Sequence, residues 1–320
     1  MTLQIPSNFE RDVKSKLKEI KSFLKPEGKN LLITHSNCMD GIGCVLVSKM
    51  CLKNVDVIET NYTYVDDVFS ELDHNYYDAI IFADMSVVNA DLSKHKNVIM
   101  IDHHESAIPQ HDPDNFKFID INVCGAYLLK CFFSLYYEKD LSFLDDFSYL
   151  MNDYDLWYHL DPRSKDIKKL HIAYDRDKFI KKFANTIKKD GKIVFDEEDN
   201  LEIAKYDEDL KNTIDDLEYT EKYKKIAIFS SDNYVNDITH HFIEQVGMTY
   251  AICIFPPSRT GHHVSVRSSP KSKKNLGSLL KKYGGGGHAH AAGLKIKEIH
   301  LNKMIKAICK ELHSKDIKDS

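Results

Sequence analysis

The stretch "NVIMIDHHES" (Asn97–Ser106) places four consecutive apolar residues directly before Asp102, His103 and His104. A short apolar run of this kind is typical of a strand buried on both faces of a parallel sheet. Ionisable residues in succession rarely serve packing, since each must be paired or hydrated. The stretch therefore predicts a buried strand that ends in a functional site.

Four similar runs lie on either side of it, and segments with helical spacing separate them. In chain order they are "NLLITHS", "VDVIETNY", "DAIIFADMS" and "FKFIDIN", between residues 30 and 122. Their Ile and Val content and their spacing predict an α/β domain with a parallel sheet. Ligands bind such sheets at the carboxyl ends of the strands.

The chain is long enough for two domains, because single hydrophobic cores usually stop growing below 320 residues. We predict a catalytic domain over 1–185, an acidic helical linker over 186–224 and a smaller α/β domain over 225–314. The linker is predicted because thirteen acidic and three basic residues lie between Asp190 and Glu221. The second domain has three candidate strands, "KIAIFSS", "TYAICIFPP" and "HHVSVRSS".

Composition narrows the classes of function. The sequence has no apolar run of about 18 residues that could span a bilayer, and its N-terminus resembles a charged amphipathic helix. We therefore expect a cytoplasmic protein without membrane contacts. The net charge of −5 disfavours a long duplex as partner. The stretch 245–297 has no Asp or Glu but nine Lys and Arg residues, which predicts a local anionic ligand.

Polar residues cluster where the predicted strands end. They are His35, Asp40, Asp84, Asp102, His103 and His104, joined by Asp153 and Asp155 from the following helical region. Converging carboxylates and imidazoles would repel or stay unsatisfied without a cation. Oxygen ligands with a few imidazoles suit Mn²⁺ or Mg²⁺ better than a structural zinc. Two ions sharing a carboxylate could activate a water for in-line displacement at phosphorus.

Five motifs in order make the chain resemble the DHH phosphoesterase family with a C-terminal DHHA1 domain. They are "THSNCMDGIG", "IIFADMS", "IDHHES", "NDYDLW" and "GGGGHAHAAG". The resemblance implies a phosphoric diester hydrolase with two metal ions, usually Mn²⁺, with Mg²⁺ or Co²⁺ as alternatives. It also implies two domains with a substrate cleft between them.

The resemblance further implies roles for particular residues. The metal ligands would be His35, Asp40, Asp84, His103 and Asp153. Asp84 would bridge the two ions, His104 would contact the scissile phosphate or donate a proton, and Asp102 would orient a histidine. Asp153 is chosen because it matches the leading aspartate of the fourth motif, and Asp155 is the alternative.

The first motif departs from the family pattern. Many members have two aspartates there, whereas "HSNCMDG" has only Asp40, and Asn37 or Cys38 stands where the other carboxylate is expected. An amide oxygen is a weak neutral ligand and a thiolate is soft for Mn²⁺. One ion is therefore expected to bind loosely or to arrive with the substrate.

The run "YGGGGHAHAAG" (Tyr283–Gly293) holds four of the 13 glycines of the chain in succession. Glycines let backbone N–H groups approach an anion closely, and Arg267 could bind a phosphate through two nitrogens. We therefore predict that Arg267, Gly285, Gly286 and Gly287 bind substrate. The resemblance adds His288, which would face the metals. The alternative is a glycine loop of purely structural origin.

These features predict a manganese-dependent exonuclease of the oligoribonuclease type. It would trim short single-stranded oligonucleotides or dinucleotides to mononucleotides, because a net acidic surface repels long nucleic acids. A phosphodiesterase for cyclic or linear signalling dinucleotides, a polyphosphatase and a catalytically weakened nucleotide-binding module remain alternatives. The sequence leaves a homodimer open.

Overall fold

The computed structural model describes residues 4–87, 89–110, 116–259, 261–287 and 289–314. The chain divides into two compact units, with the division between Ala204 and Lys205. This point lies inside the segment 186–224 that the sequence predicts as a linker. The domain limits drawn at 185 and 225 remain predictions.

The first unit contains a five-stranded sheet in which every neighbouring pair is parallel. Its strands are β1 (Asn30–His35), β2 (Val55–Thr60), β3 (Ala79–Ala83), β4 (Val98–Asp102) and β5 (Phe116–Ile119). All five predicted strands are present, and their spatial order is β2-β1-β3-β4-β5. The predicted α/β class and parallel sheet are therefore confirmed.

Helices surround this sheet. They are α1 (Ser7–Phe23), α2 (Met39–Cys51), α3 (Val65–Glu71), α4 (Gly125–Tyr137), α5 (Asp145–Asp155), α6 (Pro162–Ala173) and α7 (Arg176–Asp190). Helix α8 (Glu197–Asp215) runs across the division between the two units. Successive residues of β1 face opposite layers: Leu32 packs with α2 and α4, and Leu31 and Ile33 pack with α3. Because both faces are covered, the strands tolerate unbroken apolar runs.

Local signals fix where the helices begin and end. The Asp175 carboxylate accepts the Lys178 amide at the start of α7, and Gly191 ends that helix with a φ of 62°. Helix α2 differs, because Cys38 at its N-cap position makes no side-chain cap hydrogen bond.

The second unit contains a six-stranded sheet of order β10-β11-β9-β8-β7-β6. Its strands are β6 (Tyr219–Lys222), β7 (Ile226–Ser230), β8 (Tyr250–Ile254), β9 (His262–Ser268), β10 (Gly286–Gly287) and β11 (Ala291–Ile296). Among these described strands the pair β7–β8 is parallel and the other pairs are antiparallel. The three predicted strands are β7, β8 and β9, whereas β6, β10 and β11 add to the prediction.

The helices of this unit are α9 (Val235–His240), which continues into a π-helical turn over His241–Gln245, α10 (Leu276–Lys281) and α11 (Leu301–His313). They enclose apolar layers on both sides of the sheet. Among the helices described in either unit, none has the length and apolar character that crossing a membrane requires.

Candidate metal centre

The carboxyl ends of β1, β3 and β4 bring most of the predicted site residues together. These three strands are adjacent and parallel, so their ends share one edge of the sheet. His35 ends β1, Asp84 follows β3, and His103 and His104 follow β4. Asp40 reaches the same edge from the first turn of α2.

Asp84 lies at the middle of this edge and is 1% exposed. Its Oδ1 is 3.1 Å from His103 Nε2, while its buried Oδ2 has no hydrogen-bond partner among the described residues. Burial, reinforced by Asp40, raises the pKa of Asp84 well above its usual value. A charged carboxylate at this position needs a cation nearby.

Asp40 is fully buried and is held by the beginning of α4. Its two carboxylate oxygens accept the backbone N–H groups of Gly125, at 2.5 Å, and Ala126, at 2.8 Å. The positive end of a helix stabilises the charged form of a carboxylate. These two bonds fix the position of the Asp40 carboxylate, whose Oδ2 lies 3.6 Å from His103 Nε2.

Three carboxylates surround one nitrogen of His103. Nε2 lies 3.1 Å from Asp84, 3.6 Å from Asp40 and 3.5 Å from Asp155 Oδ2. The candidate donor atoms of Asp40, His103 and Asp155 all lie within 4.8 Å of one another. One imidazole with three carboxylates is a donor set that suits Mn²⁺ or Mg²⁺.

A second group of donors shares Asp84. It consists of His35, Cys38 and Asp84, again with donor atoms within 4.8 Å. Burial, followed by the charge of Asp84, raises the pKa of the Cys38 thiol, and burial, followed by His104, lowers the pKa of His35. Asn37 is exposed and has a φ of 53°. Cys38, one of the two residues that the sequence left open, thus lies beside His35 and Asp84.

His104 is oriented by Asp102. The Nδ1 of His104 is 2.7 Å from Asp102 Oδ1, and the Ser86 hydroxyl donates to Asp102 Oδ2 at 2.6 Å. Burial acts to lower the pKa of His104, but the hydrogen bond to Asp102 and the charge of Asp84 outweigh it and raise that pKa. Burial acts to raise the pKa of Asp102, but the hydrogen bond from His104 leads the effects that hold it low. The pair therefore favours an imidazolium beside a carboxylate.

Asp153 does not share the position predicted for it. Its carboxylate accepts the backbone N–H groups of Leu160, at 2.8 Å, and Asp161, at 3.2 Å, and so fixes the turn after α5. Two residues along a helix correspond to about 200° of rotation. Asp155 therefore faces the cluster when Asp153 faces the turn, and the structure brings the alternative aspartate to His103.

Two further side chains beside the cluster had no role in the sequence interpretation. Ser86 binds Asp102, and the Tyr62 ring lies 5.5 Å from that of His104 and 5.8 Å from that of His35. Ser86 stands inside the quoted motif "IIFADMS", two residues after Asp84, so the motif held a signal for it. Tyr62 follows β2, whose end gave no comparable signal.

The predicted substrate residues lie in the second unit. Arg267 is on β9 and donates from Nη2 to Asn236 Oδ1 at 3.1 Å. Close packing on β11 explains two glycines, since a Cβ on Gly285 would lie 2.4 Å from the Gly293 carbonyl and one on Gly287 2.5 Å from the Ala291 carbonyl. Around Gly286 the space is open. His288 lies outside the described residues.

The first unit thus has a parallel sheet with a cluster of carboxylates and imidazoles at its strand ends, and a second α/β unit follows it, so the chain has the architecture of a two-domain α/β protein with a candidate metal site. A model of the DHHA1 domain matches residues 207–314. Residues 207–314 therefore form a DHHA1 domain, and the resemblance to DHH phosphoesterases seen in the sequence is confirmed.

Particular relatives follow from the comparisons. Over 293 residues the chain is 22% identical to Oligoribonuclease NrnB of Bacillus subtilis (strain 168), covering 82% of this chain and 72% of that protein. RecJ of Thermus thermophilus, solved in complex with Mn²⁺, matches with a TM-score of 0.60 and 11% identity over 98% of this chain and 55% of RecJ. The DHH domain of a protein assigned to a family of ribosomal proteins also matches with a TM-score of 0.60, at 13% identity, over 96% of this chain and 92% of that domain. The two structures share the fold of this chain.

Proposed function

We propose that this protein is a metal-dependent phosphodiesterase that hydrolyses short oligonucleotides to mononucleotides. The observation that carries the proposal is the buried Asp84, whose carboxylate belongs to two neighbouring groups of donors and keeps one oxygen without a hydrogen-bond partner among the described residues. The similarity to a protein named as an oligoribonuclease supports the substrate class.

The residues fit two divalent ions that share Asp84. One ion would be held by His35, Asp84 and a residue of the first motif. The other would be held by Asp40, Asp84, His103 and Asp155, in which Asp155 takes the place first given to Asp153. We propose Mn²⁺ as the ion at the carboxylate-rich position, with Mg²⁺ or Co²⁺ as alternatives.

When bound, the ions would act as Lewis acids on the phosphate oxygens and would lower the pKa of the attacking water. His104 would donate a proton to the oxygen that leaves when the phosphodiester bond breaks. Asp102 accepts from Nδ1 and the pKa of His104 is raised, which favours an imidazolium whose Nε2–H can donate. Asp102 acts as a positioning residue, because it keeps the imidazole charged and aligned.

Arg267, Gly285, Gly286, Gly287 and His288 remain the proposed substrate-binding residues of the DHHA1 domain. Arg267 offers a planar fork for a phosphate. The packing of Gly285 and Gly287 against β11 leaves Gly286, with open space around it, as the glycine at which an anion could approach the backbone. The stretch 245–297, without any acidic residue, would favour an anionic ligand in this domain.

The test compares AMP release from pApA and from a longer 5′-labelled RNA, with and without Mn²⁺. Wild-type protein should cleave the short substrate faster, and Asp84→Asn should lose turnover by at least about 100-fold because a shared ligand is lost. The matched control is Asp199→Asn, since Asp199 is a fully buried carboxylate bound to Tyr174 and Lys182 away from the cluster.

Thermal unfolding separates loss of metal binding from loss of fold. Asp84→Asn removes a carboxylate that is buried near Asp40 and Asp155, so the metal-free variant should melt at or above the wild-type temperature and show no further rise with Mn²⁺. Asp199→Asn should melt lower but keep its activity. Full activity of Asp84→Asn would refute the proposed site, and metal binding without any cleavage would favour a nucleotide-binding module.

A further inference from the structure

Cys38 occupies the position in the first motif where many family members have a carboxylate, and the structure places it among metal-ligand candidates. Its Sγ and the donor atoms of His35 and Asp84 lie within 4.8 Å of one another. Ligands around a tetrahedral zinc lie about 3.5 Å apart, given bonds of about 2.0–2.3 Å. Small side-chain rotations would therefore bring all three donors onto one ion.

A second observation, on Asp84, supports a metal site that includes Cys38. The Oδ2 of Asp84 is buried and has no hydrogen-bond partner among the residues described, while its Oδ1 contacts His103. Asp84 thus belongs to the group that contains Cys38 and keeps one buried oxygen free of any hydrogen bond among the residues described.

The local backbone supports a role for the sulfur. Cys38 is the N-cap of α2, with an extended backbone (φ −124°, ψ 141°) and no side-chain cap hydrogen bond. Asp, Ser and Asn are preferred at such positions, and replacing them by a residue that does not cap typically costs about 1 kcal/mol. A cysteine is a weaker cap than these residues, so the needs of the helix alone do not explain it.

We propose that Cys38 binds one of the two ions as a thiolate, together with His35 and Asp84, and that this position prefers a borderline-soft ion such as Zn²⁺, Fe²⁺ or Co²⁺. The inference rests on the proposed metal-dependent function and refines it. One subsite has nitrogen, sulfur and oxygen donors, whereas the other has one imidazole and three carboxylates. The two positions differ in chemical softness, so the active protein is a mixed-metal enzyme rather than a di-manganese enzyme.

The experiment titrates metal-free, full-length protein with Co²⁺ under a reductant that contains no thiol. Thiolate coordination gives a sulfur-to-cobalt charge-transfer absorption in the near ultraviolet. Wild-type protein should show it, and Cys38→Asp, which suits the N-cap position, and Cys38→Ser should not. Cys51→Ala is the matched control, because Cys51 is a half-buried cysteine at the end of the same helix and outside the cluster. It should keep the absorption.

Competition between Zn²⁺ and Mn²⁺, followed by calorimetry, gives the preference directly. Cys38→Asp should lower the ratio of Zn²⁺ to Mn²⁺ affinity by at least about tenfold, since loss of even an indirect metal partner commonly costs that much. Two bound Co²⁺ ions without the absorption, or an unchanged ratio in Cys38→Asp, would overturn the thiolate assignment and leave the phosphodiesterase proposal standing. No metal binding by any of the proteins would overturn both.

Discussion

Replacing Gly125 by alanine tests whether the beginning of α4 positions the metal ligands. A Cβ at this position would lie 2.8 Å from Asp40 Oδ2 and 2.8 Å from both Cα and Cβ of Asp84. Ordinary contacts begin at 3.4 Å, so these atoms must retreat by about 0.6 Å. The retreat also weakens the hydrogen bond from the Gly125 amide to Asp40, now 2.5 Å long.

The expected effect on function exceeds the effect on stability. A displacement of about 1 Å in a catalytic constellation can lower activity about 100-fold, so we expect a loss of about 10- to 100-fold in kcat/KM and a parallel loss of metal affinity. Alanine gains up to about 1 kcal/mol over glycine in a helix, and overpacking costs about 1–3 kcal/mol. The free energy of unfolding should therefore fall by no more than about 2.5 kcal/mol.

Gly43→Ala is the matched control. Its Cβ would lie 2.9 Å from the Ala126 Cβ and 3.0 Å from the Met151 Cγ, so the crowding is similar but involves no carboxylate. The assays are kcat/KM on pApA, Mn²⁺ titration calorimetry and thermal unfolding of both variants. If Gly125→Ala matches Gly43→Ala in activity and metal affinity to within about twofold, α4 does not position the ligands.

Three further outcomes follow from the side-chain environments. Asp155→Ala should lower metal affinity at least about tenfold with little change in metal-free stability. Asp153→Ala should instead cost about 1–3 kcal/mol of stability, because two backbone amides lose the carboxylate that accepts them. Calorimetry and thermal unfolding distinguish the two variants, and the reverse pattern would restore Asp153 as the ligand. Arg267→Ala should raise KM more than Lys271→Ala, since a planar guanidinium binds a phosphate more specifically than a lysine ammonium does. Equal KM values in steady-state assays would favour nonspecific electrostatic attraction of the substrate. Burial lowers the pKa of His171, so the unfolded chain takes up the proton first as the pH falls. The stability that is present above about pH 6.5 therefore decreases below that value, by at most about 1.4 kcal/mol per pH unit. Denaturant titrations should show a shallower loss of stability in His171→Gln, and an identical slope would contradict this account.

The sheet of the first unit was predictable because its strands are buried on both faces. A residue such as Ile81 in β3 contacts one helical layer and Ile80 the other, so the whole strand must be apolar and its pattern is unmistakable. The strands β6 and β10 lacked any such pattern. All four residues of β6 are exposed, and β10 consists of two glycines, so neither carries an apolar signature.

The candidate site was predictable as far as strand ends define it. His35, Asp84 and His103 follow directly from strands whose ends must meet. The aspartate of the fourth motif was harder, because it comes from the end of α5, where a two-residue shift reverses the direction of the side chain. The exposed position of Asn37 comes with a left-handed backbone, which no spacing rule specifies.

The two edges of the six-stranded sheet have a consequence for how the protein behaves at high concentration. One edge, β6, is four residues long and carries Glu221 and Lys222, and the other, β10, has two residues. An edge recruits strands from other molecules when it offers a long row of unpaired backbone groups, and short or charged edges do not. The outermost strands of this sheet therefore offer few unpaired backbone groups to a strand from another molecule.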